Sequence, residues 1–168
     1  SVLNVSITPS SWNNYQIQCN GDNSGTADFS INGGVAPYLK TTISNGDTIA
    51  SSFSPNVTGL SAGTYDFIVQ DGYGCVYLET LVYNEPDTIL HSFVANHVTC
   101  DGWSNGSLTD VVTGGVGSPL TYHYLWDTGD TTYSLTNLSV GIYGITVTDE
   151  NGCSSYDQFE INDTNKLI

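Results

Sequence analysis

The sequence predicts an all-β protein built as two tandem antiparallel β-sandwich modules of about seven strands each. Three observations carry that expectation. No stretch keeps the i, i+3, i+4, i+7 spacing of an amphipathic helix over three turns, whereas short runs alternate apolar and polar residues with the period of a half-buried strand. Gly, Ser, Thr, Asn and Asp punctuate those runs, and 11 tyrosines with many β-branched residues supply side chains suited to a pleated surface. The chain also repeats itself. Cys19-Asn20-Gly21 followed by Gly33-Gly34 returns as Cys100-Asp101-Gly102 followed by Gly114-Gly115, and Leu60-Ser61-Ala62-Gly63-Thr64-Tyr65…Cys75 returns as Leu138-Ser139-Val140-Gly141-Ile142-Tyr143…Cys153, each with unchanged internal spacing.

In chain order, Val2, Val5 and Ile7 begin in strand character, so the chain reads as a piece of something longer. Thr26 to Ile31 is a strand closed by a glycine pair. Tyr65 to Gln70 alternates cleanly, turns through glycine and continues as Cys75 to Tyr83, a hairpin. The seam falls at Asn84-Glu85-Pro86-Asp87, where proline cannot continue a ladder, giving repeats 1–86 and 87–168. So short a linker predicts a stiff rod. In the second copy the strands are Thr88 onward, Ser107 to Thr113, Tyr122 to Trp126, Tyr143 to Thr148 and Cys153 to Ile161. Only the middle differs, two residues longer after the glycine pair and five shorter after Gly129, with Ile43 aligned on Trp126.

The second copy carries Cys100, Gly114-Gly115, Pro119, Tyr122, Tyr124, Trp126, Gly129, Asn137-Leu138, Gly141, Tyr143, Val147, Asp149 and Gly152-Cys153. This pattern resembles the SprB repeat. The first copy departs from it at Ile43 and in a shortened Val35-Ala36-Pro37-Tyr38 loop, yet keeps both cysteines, the glycine pair and Leu60…Tyr65…Asp71…Cys75. The resemblance implies an immunoglobulin-like or PKD-like module, strung in tandem along a large secreted protein of the Bacteroidota. It also implies a non-catalytic fragment of a cell-surface adhesin, of the kind used in gliding or adhesion, acting as spacer and adhesive surface. The alternative is a carbohydrate-binding accessory module of a secreted enzyme.

Charge narrows the partners. Two lysines, no arginine and 17 acidic residues give a net charge of −15, which excludes nucleic acid and an anionic membrane surface. No apolar run reaches the roughly 18 residues of a membrane span. The expected partners are an extracellular surface or polysaccharide and neighbouring repeats of the same chain. The acidic surface reads first as a solubility device and second as a cation sink.

Four cysteines, two per copy, point to an oxidising compartment and one disulfide inside each repeat, Cys19–Cys75 and Cys100–Cys153. Closing such a loop is worth roughly 3–4 kcal/mol in the chain-entropy model. Metal binding is the other reading, but two thiols make a poor zinc site. A plain immunoglobulin topology resists this pairing, because it puts the loop before the second strand and the last hairpin turn at opposite ends. Pairing would require the first strand to be rearranged or to cross over.

Tyr65 and Tyr143 read as tyrosine corners, and Trp126 as a buried strand tryptophan. Asp71 and Asp149 read as Asx-turn residues. No cofactor is required; calcium is a candidate, held at the seam by Glu85, Asp87, Asp149 and Glu150. Trp12 and Trp103, in loop-like contexts, are the glycan-contact candidates. Catalysis has no foothold: His91, His97 and His123 lie on strands without a nucleophile or metal motif beside them, and the copies share no acid–base pair.

Overall fold

The computed structural model describes residues 2–44, 47–52, 56–100 and 102–164; Asp101 of the second Cys-Asp-Gly triplet and Lys166 lie outside them. The chain forms two compact units, Ser1–Pro86 and Asp87–Ile168. The described elements are all strands, and every ladder between them is antiparallel.

The first unit holds β1 (Asn4–Pro9), β2 (Gly25–Asn32), β3 (Leu39–Ser44), β4 (Asp47–Ser52), β5 (Asn56–Leu60), β6 (Gly63–Gln70) and β7 (Val76–Tyr83). They make a three-stranded sheet, β1-β2-β5, and a four-stranded one, β4-β3-β6-β7. Val5, Ile7, Ala27 and Val57 from one sheet pack with Phe67, Val69 and Tyr83 from the other in a single core, the alternate positions along each strand. Each of the valine, isoleucine and phenylalanine side chains contributes about 1.5–3 kcal/mol on burial.

The second unit holds β8 (Leu90–Asn96), β9 (Gly106–Thr113), β10 (His123–Trp126), β11 (Ser134–Leu138), β12 (Gly141–Thr148) and β13 (Ser154–Ile161). Its sheets are β11-β9-β8 and β10-β12-β13, around a core centred on Leu108, Trp126, Ile145, Val147 and Ile161. The described residues thus give seven strands in the first repeat and six in the second. The shorter middle of the second copy accounts for the difference. After β10 the chain turns back on itself, Trp126 N–H donating to the Asp130 carbonyl at 2.9 Å, and runs on to β11 without a counterpart of β4.

Strand register corrects the alignment of the copies. Trp126 lies opposite Ile145, and the residue opposite the equivalent Phe67 is Thr42, not Ile43. A one-residue slip in a strand exchanges its two faces, so sequence matching alone had put Trp126 on the wrong partner. The interior pairs are complementary in volume: small Thr42 beside large Phe67, large Trp126 beside smaller Ile145.

Candidate functional site

The end of each unit that carries the last hairpin turn is built from a carboxylate and backbone. Asp71 is buried, and one of its oxygens accepts from Tyr73 N and Cys75 N, each at 2.9 Å, while the other accepts from Val35 N at 3.1 Å. Asp149 repeats this with Asn151 N, Cys153 N and Val116 N, all at 2.9 Å. The glycine pair is part of the same device. Gly34 has φ +63, and a Cβ there would lie 3.1 Å from Asp71 Oδ2 and 3.0 Å from Leu3 Cδ1, so only glycine lets the turn seat on the loop. Burial by itself would raise the Asp71 carboxyl, but the N–H donors of Cys75, Tyr73 and Val35, with the Cys75 thiol, together outweigh it and hold the group below the usual carboxylate range.

At the start of the penultimate strand, Tyr65 Oη donates to the Ser61 carbonyl at 2.9 Å and Tyr143 Oη to that of Ser139 at 3.0 Å, the tyrosine corner in both copies. The opposite end of each unit is closed by the loop before the second strand. Ile17 N donates to the Asn84 carbonyl at 3.1 Å, and Val98 N to that of Asn162 at 2.9 Å.

These two ends decide the cysteines. Cys19 sits two residues past Ile17, beside the exit of β7, whereas Cys75 precedes the entry of β7. At about 3.3 Å per residue the strand separates them by roughly 25 Å, against the 7 Å or less that a disulfide tolerates between Cα atoms. Cys100 and Cys153 stand in the same relation across β13. The pairings Cys19–Cys75 and Cys100–Cys153 are accordingly not formed: Cys75 and Cys100 are free, exposed thiols, while Cys19 and Cys153 are disulfide-bonded.

Two of the four acidic candidates for calcium, Glu85 and Asp149, have carboxylates engaged in hydrogen bonds within their own units, and Asp87 and Glu150 are tied in through their backbone. Glu85 accepts from Gly21 N at 2.7 Å and Asn20 Nδ2 at 3.2 Å, and Asp149 is occupied as described above. The Asp87 carbonyl accepts from Gly115 N at 2.8 Å, and Glu150 N donates to Val116 O at 3.1 Å. Among the described residues no group of three His, Cys, Asp or Glu side chains could hold a metal ion. Of the tryptophans, Trp126 is buried and donates its indole N–H to the Thr132 carbonyl at 2.7 Å. Trp12 and Trp103 are 38% and 59% exposed and present ring surface to solvent.

One polar constellation escaped the sequence reading. His91 Nδ1 and Asp110 Oδ2 meet at 2.7 Å with both side chains almost wholly buried, and His91 Nε2 and Asp110 Oδ1 have no hydrogen-bond partner among the described residues. Burial raises the Asp110 carboxyl above its ordinary range, with His91 pulling the other way. Beside Asp110 opens a cavity of about 330 Å³ whose wall is mostly apolar, including Val111, Pro119, Leu120, Tyr124 and Tyr133, with Thr109 the other polar residue beside the tyrosines. Ladder register shows what the pair replaces. His91 opposite Val112 stands where the first repeat has Val5 opposite Ile31, and Asp110 opposite Phe93 stands where it has Phe29 opposite Ile7. Of the other histidines, His97 Nδ1 accepts from Asn162 N at 3.0 Å and His123 is exposed.

No family model and no curated protein matches the chain. Among solved structures, the three N-terminal domains of the bacteriophage RB49 highly immunogenic outer capsid protein superpose with a TM-score of 0.55 at 17% identity, covering 96% of this chain and 59% of that one. The fibronectin(III)-like modules of Clostridium thermocellum CbhA align at TM-score 0.39 and 11% identity over 97% of both chains. The amphioxus IgVJ-C2 molecule aligns at 0.35 and 12%, over 78% of this chain and 91% of that one. The likeness to the capsid-protein domains lies in the fold: this chain is all-β, with antiparallel sheets paired as a sandwich in each unit.

Proposed function

We propose that the chain is a non-catalytic pair of tandem repeats from a bacterial extracellular surface protein of the SprB-repeat type, serving as a stiff spacer that carries an adhesive surface. The observation that carries this reading is the double construction of the scaffold. Tyrosine corner, Asx turn with its glycine pair, and terminal asparagine clamp recur at the same places in both copies, while the buried His91–Asp110 pair belongs to a single copy. A chemical site would recur with the scaffold; here only the scaffold recurs. The disulfide-bonded Cys19 and Cys153 fit an oxidising, extracellular setting. Outward-facing Val76, Leu78 and Val82 along β7 give the first repeat an exposed apolar strip suited to surface contact. The partners in this reading are an extracellular surface or polysaccharide and neighbouring repeats.

Two measurements test it. Immobilised chain is expected to retain polysaccharide-coated beads without altering the polymer; release of shortened polymer would overturn the non-catalytic assignment. Small-angle scattering is expected to show one elongated particle, and a broad distribution of sizes would sink the spacer.

The exposure of Trp103 favours a second reading, a carbohydrate-binding accessory module, since an exposed indole stacks on sugar rings. Glycan binding lost in Trp103→Ala while the bead retention above persists on other surfaces would support it.

A further inference from the structure

The repeat contains two kinds of cysteine: a loop cysteine beside the exit of the last strand (Cys19, Cys100) and a turn cysteine at its entry (Cys75, Cys153). Within one repeat the two kinds are held a strand's length apart, so a loop cysteine cannot bond the turn cysteine of its own copy. In this chain one loop cysteine, Cys19, and one turn cysteine, Cys153, are oxidised, and one of each kind, Cys100 and Cys75, remains free and exposed.

The free thiols occupy the backbone frames of their oxidised counterparts. Cys75 N donates to Asp71 Oδ1 at 2.9 Å and its carbonyl accepts from Asp71 N at 3.0 Å; Cys153 makes the same two bonds with Asp149, both at 2.9 Å. The Cys100 carbonyl accepts from Trp103 N at 3.1 Å, as that of Cys19 does from Asp22 N at 3.1 Å. Each free cysteine thus shares the backbone frame of its oxidised counterpart, and the Cys75 thiol additionally hydrogen-bonds the Asp71 carboxylate.

We propose that Cys100 forms a disulfide with Cys75 of a second copy of this chain, linking copies head to tail through one loop cysteine and one turn cysteine. The step removes two electrons and two protons from the two thiols and forms one S–S bond. A low-molecular-weight disulfide is the oxidant; it is cleaved to two thiols that take up the electrons and protons. A net charge of −15 opposes the approach of copies, so the reaction belongs at an ionic strength of about 0.15 M or above, where exposed charges are screened beyond roughly 8 Å.

The test incubates the whole chain with oxidised glutathione and reads non-reducing gels and intact mass, for wild type, Cys75→Ser, Cys100→Ser and an equimolar mixture of the two variants. Circular dichroism checks that both variants fold. Wild type is expected to form a ladder of oligomers, each variant alone to stay monomeric, and the mixture to stop at a dimer. Cleavage at acidic residues, the practical choice for a chain with only two lysines, should recover a linked pair of peptides containing Cys75 and Cys100. Homodimers of either variant forming as readily as the mixed dimer would overturn the proposal, as would wild type that stays monomeric with both thiols capped by glutathione. The inference rests on the tandem-repeat reading above, and the two fail differently: a monomer that still binds surfaces sinks only the linkage, and a ladder that binds none sinks only the adhesive role.

Discussion

His91 Nδ1 and Asp110 Oδ2 lie 2.7 Å apart inside the second sandwich, at positions that the first sandwich fills with Val5 and Phe29. Removing one member of a buried pair strands the other, at a cost of about 3–5 kcal/mol, whereas replacing both with apolar groups is often neutral or stabilising by about 1–4 kcal/mol. His91→Ala is therefore expected to destabilise the second repeat strongly, and His91→Val with Asp110→Leu to recover or exceed wild-type stability. Urea unfolding followed by tryptophan fluorescence in a Trp12→Phe, Trp103→Phe background, which leaves only buried Trp126, reports on that repeat. A double variant no more stable than His91→Ala would show that the pair contributes through geometry rather than charge.

The tyrosine corners offer a smaller, symmetrical effect. Tyr65→Phe and Tyr143→Phe keep the ring and remove the hydroxyl that bonds Ser61 or Ser139. Each is expected to cost about 0.5–1.5 kcal/mol, measured by chemical denaturation, with each loss confined to its own repeat.

Asp71 makes the first repeat acid-sensitive. Its folded pKa lies below the unfolded value of about 3.9. The stability it contributes is therefore fully present above that unfolded value and is lost as pH falls through the lower folded one. Asp71→Asn should lower the melting midpoint at pH 7 and flatten the acid limb of its pH profile. An unchanged acid limb would assign the sensitivity to other carboxylates.

The interior pairs Thr42–Phe67 and Trp126–Ile145 predict a rescue. Trp126→Thr empties the centre of the second core and is expected to cost on the order of 3–5 kcal/mol, the range for large-to-small aromatic substitutions. Adding Ile145→Phe borrows the first repeat's solution and should return part of that loss. A double variant as unstable as the single one would show that the two cores are shaped by more than this pair.

Calcium gives a prediction of no change. Asp149 and Glu85 already accept hydrogen bonds within their own units, and no metal-holding trio exists among the described residues. The melting midpoint should be the same with millimolar calcium and with chelator. A rise with calcium would place a native-state ion site that these contacts do not provide.

Much of the fold was legible because it is written locally. Period-two alternation marked β2, β6, β7, β9, β12 and β13, and glycine pairs and Asx residues marked their ends. Asp71, Tyr65 and their partners in the second copy could be read because turn and corner chemistry acts over a few residues of chain. What could not be read depends on register and distance. Thr42 and Ile43 differ by one position and by which face of β3 they occupy, a choice that only the ladder with β6 makes visible. The His91–Asp110 pair joins residues on adjacent strands, and recognising it requires aligning β1 with β8, where the copies share little sequence. The cysteine pairing failed on topology: matching positions in both copies said that the cysteines matter, and the obstacle that an immunoglobulin topology already raised, opposite ends of the sandwich, is the one the structure keeps.

The second sandwich ends one of its sheets at β10, since no described strand occupies the place that β4 takes in the first. Its outward backbone groups form a sheet margin only four residues long, and Trp126 N–H is already taken by Asp130. So short a margin offers a foreign strand too little ladder to grip. At this margin, a neighbouring molecule thus finds no template on which to extend the sheet.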